Sequence, residues 1–299
     1  HAELFRAFPN SYGTLGYALS LTIDLAPVQP FVHLRHVRFD DLDEVCRVIG
    51  EIVETGAWQG EQVDFLDGSM FPEPRLADRA GHDPVTYLTL GSWAERAPYT
   101  NEYGGQQVYY RSVQRRSEDY LAVRDYLWRW DTDWFWCSRV FGVQNPRIRR
   151  FIPRRYLRSD VYQKLVGLEN RYHVKARLDA RKGEPPRERV VQDVEVPLDR
   201  TADFLRWFVA HVPIEPVWLC PLRLRQRVEG SADGSWPLYP LQPDRTYVNV
   251  GFWSTVPIEP GAQDGDVNRA VELAVTEHEG HKGLYSDAYY PPQEFWKLY

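Results

Sequence analysis

The segment Leu284 to Tyr290, LYSDAYY, gathers three tyrosine hydroxyls and a carboxylate close to the end of the chain. If it is a strand, Tyr285, Asp287 and Tyr289 share one face and Tyr290 takes the other. Phenols and carboxyls so grouped can hold and deliver protons, which makes Tyr285 and Asp287 the candidate catalytic residues. The same residue types near a strand end also serve to satisfy neighbouring backbone groups. Upstream, VWLCPL places Trp218, Cys220 and Leu222 on one strand face. Trp218, Cys220, Tyr289 and Tyr290 are candidate lining for an apolar substrate, and such residues equally build ordinary core. Cys220 has only Arg223 nearby as a basic residue and no partner histidine, so a thiolate nucleophile is not expected. His278, Glu279 and His281 spell H-E-x-H, which lacks the i, i+4 histidine spacing of a zinc-binding helix, and no metal site is predicted. There is no G-x-S-x-G and no Walker sequence.

Two further groups are suited to binding. The turn Ser11-Tyr12-Gly13-Thr14-Leu15-Gly16 carries two glycines, which remove the side chains that would hold a backbone away from a ligand. Glycine pairs of this kind also occur in plain hairpin turns. Farther along, Arg147, Arg149, Arg150, Arg154, Arg155 and Arg158 alternate with Ile148, Phe151, Ile152, Tyr156 and Leu157, just after Trp128, Trp130, Trp134, Phe135 and Trp136. Arginine beside aromatic rings suits a phospholipid headgroup region. Arg149, Arg150, Arg154 and Arg155 are the candidate contacts, to an anionic membrane or to the phosphate of a cofactor such as NADPH. A solvated surface paired with acidic residues is the plainer reading.

The elements that position these groups follow from periodicity. Tyr17, Leu19, Leu21, Ile23 and Leu25 alternate with polar residues and predict a strand. FVHLRHVRF predicts a second extended stretch, and Asp40 or Asp41 caps an amphipathic helix through Leu42, Val45, Ile49 and Val53 that Gly56 closes. Strand, helix and strand are expected again at 189–197, 199–211 and 216–224. A strand at 246–253, a helix at 267–279 and a strand at 284–290 follow. The stretch 91–183 is irregular apart from helices expected at 118–130 and 160–172, and 182–188 and 228–234 read as loops. Helices set against a mostly antiparallel sheet make an α+β fold.

The 299 residues include 36 basic and 42 acidic side chains, a formal charge of −6, which disfavours non-specific nucleic-acid binding. Three cysteines without CxxC spacing cannot form a disulfide framework and point to a reducing, cytoplasmic setting. No apolar run reaches the length of a membrane span, and no leader peptide is evident. The chain opens on HAELFRAF and closes on EFWKLY inside an expected helix, as if both ends were cut from a longer protein.

The segments SYGTLGYALSLTIDLAP, DTDWFWCS (131–138), VVQDVEVP (190–197), VWLCPL (217–222) and LYSDAYYPPQEFW (284–296) occur in this order. Together they resemble the sterol Δ24-reductase branch of the vanillyl-alcohol-oxidase type of FAD-linked oxidoreductase and its actinobacterial relatives. The resemblance implies that residues 1–29 end an FAD-binding domain of the PCMH type. Residues 30–299 would then form a substrate cap with a large sheet covered by helices. It implies that Ser11 to Gly16 contact FAD, that Tyr285 or Asp287 delivers a proton near the flavin, and that NADPH supplies electrons. The expected reaction is reduction of a carbon–carbon double bond in a lipid. An arginine-rich composition with a single methionine suggests a GC-rich, actinobacterial genome, and the resemblance to the actinobacterial relatives then implies a methylene-branched acyl chain of a phospholipid as substrate, made by an upstream lipid methyltransferase. Alternatives are a sterol side chain, oxidation of a small hydroxylated compound, or a non-enzymatic lipid-binding scaffold. The expected location is the cytoplasm, with peripheral attachment at the inner face of the plasma membrane.

Overall fold

A computed structural model describes residues 2–71, 82–105, 107–134, 142–172, 177, 181–224, 236 and 238–299. Phe135, Trp136 and Cys137 of the aromatic run and the expected loop 228–234 lie outside the described residues.

The sheet strands are β1 (Phe31–Phe39), β2 (Phe65–Phe71), β3 (Val85–Ala94), β4 (Glu118–Ala122), β5 (Arg187–Pro197), β6 (Val217–Arg223), β7 (Thr246–Pro257) and β8 (His281–Lys282). They form one eight-stranded sheet in the order β8-β5-β7-β6-β2-β3-β1-β4, with every pairing antiparallel. Four helices matter for the site: α1 (Leu42–Thr55), α2 (Ser159–Tyr172), α3 (Leu198–His211) and α4 (Asp266–Glu277). The order strand, helix, strand, strand occurs twice, as β1-α1-β2-β3 and β5-α3-β6-β7. The two units meet edge to edge where β2 pairs with β6. The expected α+β architecture, a large antiparallel sheet covered by helices, is what the chain forms.

One face of the sheet carries Val190, Val194, Val196, Leu219, Val248, Val250, Phe252, Met70 and Leu88, buried under Leu42, Val45 and Ile49 of α1, Phe204, Leu205 and Phe208 of α3, and Val271 and Val275 of α4. Burial of these apolar stripes drives the docking of the helices. Helix α1 starts where the Asp41 side chain accepts from the Glu44 amide at 3.0 Å and stops at Gly56, whose φ of 67° suits glycine. The opposite face divides in two. Its β1-β3-β2 half is covered by Tyr103, Tyr109, Val113, Tyr126 and Trp130. Its β5-β7-β6 half is the more polar one.

Three expectations are corrected. The stretch 118–130 is not one helix. Residues Glu118–Ala122 form strand β4, because Asp119 and Leu121 alternate as buried positions against β1 and Asp119 accepts from the Asn101 side chain and the Tyr103 hydroxyl. Only Val123–Leu127 is helical. The alternating stretch 17–25 is no strand: Tyr17, Leu19, Leu21, Ile23 and Leu25 are 72–101% exposed, and it pairs with no described strand. An extended chain needs a neighbour to complete its ladder. Residues 284–290 turn away after the two-residue β8, so their side chains do not alternate across a sheet.

Candidate functional site

Register fixes two rows of side chains on the polar half of the sheet. In one, Asp193 of β5 stands opposite Gly251 of β7, which stands opposite Trp218 of β6. In the next, His281 of β8, Glu195 of β5, Asn249 of β7 and Cys220 of β6 lie side by side. Side chains at i and i+2 on a strand point the same way, so Asp193 and Glu195 present two carboxyls to one face.

Gly251 makes room for this. A Cβ there would lie 2.3 Å from Asp193 Oδ1 and 3.2 Å from the Trp218 ring. Gly251→Ala therefore displaces the Asp193 carboxyl and destabilises the protein by about 1–3 kcal/mol, to be read from denaturant unfolding.

Glu195 is 3% exposed. Its Oε1 accepts from Asn249 Nδ2 at 3.2 Å, and its Oε2 lies 3.7 Å from His281 Nε2. Burial, reinforced by the negative charge of Asp193, raises the Glu195 carboxyl to about 8. Burial likewise raises Asp193 to about 6, opposed by a hydrogen bond from Tyr285. Burial lowers His281 to about 4, so its ring is neutral at pH 7. At neutral pH the two carboxyls thus hold close to one proton between them. Asp193 Oδ1, Glu195 Oε2, Asn249 Oδ1 and His281 Nε2 are buried without a hydrogen-bond partner among the described residues. Unsatisfied buried groups are costly, and a cluster of them marks a site kept for something other than stability.

Tyrosines close over the pair. The Tyr285 hydroxyl accepts from Trp253 Nε1 at 2.7 Å and hydrogen-bonds the Asp193 carboxyl. Burial and the charge of Asp193 raise its pKa, so Tyr285 keeps its proton at pH 7. Tyr12 reaches the same place from the N-terminal turn. Burial and the charges of Glu195 and Asp193 raise its pKa, and it hydrogen-bonds the backbone of Leu284. The Tyr239 and Tyr247 rings meet His281 edge-on at 5.6 and 5.9 Å.

The turn that carries Tyr12 is itself built. The amide and hydroxyl of Thr14 donate to the Ser11 carbonyl at 2.9 and 2.7 Å, and Ser11 Oγ donates to the Phe8 carbonyl. Gly13 and Gly16 have φ of 84° and 138°, and Tyr12 itself has φ of 47°. A non-glycine residue in this region carries a backbone cost of about 1–2 kcal/mol. Here it aims the Tyr12 ring at the carboxyl pair. Leu15 is exposed beside the turn.

The structure thus brings together Tyr12, Tyr285, Trp218 and Cys220 from the residues singled out in the sequence. It separates the others. Asp287 is 71% exposed and pairs with Arg189 at 3.1 Å. The Tyr289 amide donates to the Glu272 carboxylate, and its ring packs with Arg269. Tyr290 lies beside Tyr299. Arg149 is 1% exposed, ion-paired with Asp133 at 3.0 Å and bonded to the Gly105 carbonyl, so it is no surface contact. Arg154 pairs with Glu102, while Arg150 and Arg155 lie over the rings of Phe151 and Tyr156. The sequence reading passed over Asp193, Glu195 and Asn249, and weighed His281 only as part of the H-E-x-H run. Its available signal was VVQDVEVP, in which two carboxyls interrupt an otherwise apolar strand. Among the described residues no cluster of His, Cys, Asp and Glu is arranged to hold a metal ion.

No family model matches the chain. It is 26% identical over 313 residues to a Δ24-sterol reductase homologue of Caenorhabditis elegans. It is 24% identical over 318 residues to the Δ24-sterol reductase of Rattus norvegicus, and 22% over 332 residues to that of Arabidopsis thaliana. These alignments cover 99–100% of this chain and 54% of each relative, so the chain spans about half the length of the curated relatives it matches. Among solved structures, a variant of berberine bridge enzyme aligns with a TM-score of 0.31 at 11% identity, over 85% of this chain and 41% of that one. Over its whole length the chain is similar to the Δ24-sterol reductases at 22–26% identity.

Proposed function

We propose that this chain is the substrate-binding part of an FAD-dependent oxidoreductase that reduces a carbon–carbon double bond in a lipid with electrons from NADPH. The substrate we assign is a methylene-branched fatty acyl chain of a phospholipid, reduced to the methyl-branched chain. One observation carries the reading: Tyr12 from the glycine turn and Tyr285 from the C-terminal segment converge on the buried Asp193 and Glu195 carboxyls. Residues 1–29 then form the end of an FAD-binding domain. The fully exposed alternation of 17–25 is what a strand presents when its sheet lies in another part of the protein.

The residues present fit a flavin. Gly13 and Gly16 turn the backbone so that aromatic rings lie directly on it: a Cβ at Gly13 would meet the Tyr17 ring at 3.2 Å and one at Gly16 the Phe8 ring at 3.7 Å, and the turn sits against the carboxyl pair through Tyr12. Bound FAD supplies the hydride. The chain's own residues supply the rest. Tyr285 holds a proton on its hydroxyl, fixed in direction by Trp253, and gives it to the second carbon of the double bond. The proton that returns to the phenolate comes from the one the carboxyl pair holds at neutral pH, with Asp193, hydrogen-bonded to Tyr285, as its point of delivery. Trp218 and Trp253 form the apolar floor that keeps water from the reacting carbons.

The test is an anaerobic titration of the full-length protein. NADPH bleaches the flavin band, and a methylene-branched phospholipid restores it. Restoration by a sterol with a side-chain double bond in place of the phospholipid would transfer the activity to the substrate named for the relatives. A protein without a flavin band would overturn the reading and leave a lipid-binding scaffold.

A further inference from the structure

The segment Arg147 to Arg158 contains six arginines and no acidic residue, in a chain of net charge −6. The fold sorts them by burial. Arg149 and Leu157 point inward, one to Asp133 and Gly105 and the other into a small cluster with Val143 and Tyr162. Arg147, Ile148, Arg150, Phe151, Arg155 and Tyr156 point outward. The result is a folded knuckle, a short helix Pro146–Arg149 capped by the Asn145 side chain and a 3-10 turn Arg154–Tyr156.

Two of its exposed arginines lie against exposed rings, Arg150 at 4.6 Å from the Phe151 centroid and Arg155 at 4.9 Å from that of Tyr156. Phe151 is 74% exposed, and so are Leu127 at the end of the helix Val123–Leu127 and its capping residue Trp128, at 67% and 63%. Trp128 lines a groove of about 150 Å³ with Arg154 and Arg158 and with Asp125 and Asp131, so the charges there are balanced. Arg154 and Arg158 are paired with Glu102 and Asp160. The charge on offer therefore comes from Arg147, Arg150 and Arg155.

We infer that this knuckle is an interfacial docking surface for an anionic phospholipid bilayer, with Phe151 and Ile148 entering the headgroup boundary and Arg147, Arg150 and Arg155 facing lipid phosphates. Arginine–phosphate pairing and shallow burial of aromatic rings favour the same orientation. A soluble anion would engage the charges but leave the apolar residues in water. Docking here stands independently of the flavin chemistry.

Co-sedimentation of the full-length protein with vesicles tests it. The comparison is phosphatidylcholine alone against phosphatidylcholine mixed with phosphatidylglycerol, each at low and high salt. Binding that requires phosphatidylglycerol and weakens with salt is expected. Arg150→Ala together with Arg155→Ala removes two surface charges at about fivefold each, a roughly 30-fold loss of partitioning. Phe151→Ser weakens binding to anionic vesicles while its thermal unfolding stays that of the parent. Equal sedimentation with both vesicle types, or variants that partition like the parent, would overturn the inference.

Discussion

Tyr285→Phe lowers the rate of double-bond reduction about a hundredfold or more, the usual contribution of a positioned proton donor, while NADPH still bleaches the flavin at the parental rate. Only the step that needs a proton loses its donor. The ring is half exposed and keeps its packing, so the melting temperature changes little. Single-turnover reoxidation of the reduced enzyme by lipid separates this outcome from a general loss of activity. A variant that reoxidises as fast as the parent removes Tyr285 from the mechanism. The pH dependence follows from the carboxyls behind it. Glu195 holds its proton up to about 8, so reoxidation by lipid falls as pH rises through that value. Glu195→Gln removes this alkaline limb and leaves a lower, flatter profile. Stability moves in the corresponding direction. Both carboxyls are raised in the folded state, so their contribution is fully present below the ordinary carboxyl range and is lost as pH rises through about 6 for Asp193 and about 8 for Glu195. Unfolding of Glu195→Gln should therefore depend less on pH over this window than unfolding of the parent.

Local chemistry made part of this legible in the sequence. Asp41 followed by the apolar spacing of Leu42, Val45, Ile49 and Ile52, and closed by Gly56, carries both caps and the buried stripe of α1 in adjacent residues. The second unit, β5-α3-β6-β7, was equally plain because each element has its own period. Elements defined by their partners were harder. Residues 17–25 have the alternation of a strand but no described neighbour, whereas Glu118–Ala122 is a strand because β1 lies beside it. At the site, Tyr285 stood out because tyrosine and aspartate crowd its segment. Asp287 stood out for the same reason, yet Arg189 takes its carboxylate. The pair that gives Tyr285 its chemistry is set by cross-strand register. Nothing near Glu195 in the chain reveals that Asn249, His281 and Cys220 will stand in its row.

Arg149→Met costs about 3–5 kcal/mol, the usual effect of removing one partner of a buried ion pair. At about 2–4 °C per kcal/mol for domains of roughly 150–250 residues, the transition that involves the middle region falls by roughly 10 °C. The reasons are specific to this arginine. Its guanidinium and the Asp133 carboxylate are both at most 1% exposed, and Nε donates to the Gly105 carbonyl at 2.6 Å. The variant takes a cation from a buried carboxylate and the donor from a carbonyl. Restoring balance by removing the second charge, in Arg149→Met with Asp133→Leu, recovers a large part of the loss if the pair acts as a unit. Arg150→Ala, one residue away and pointing to solvent, changes stability by less than about 0.5 kcal/mol. The contrast separates two roles that composition merges. Arg149 roots the knuckle in the fold, and its neighbours remain free to meet a phosphate. Calorimetric scans of the three variants decide it, and an Arg149→Met protein that melts with the parent would mean that the knuckle is held by Leu157 and Tyr162 instead.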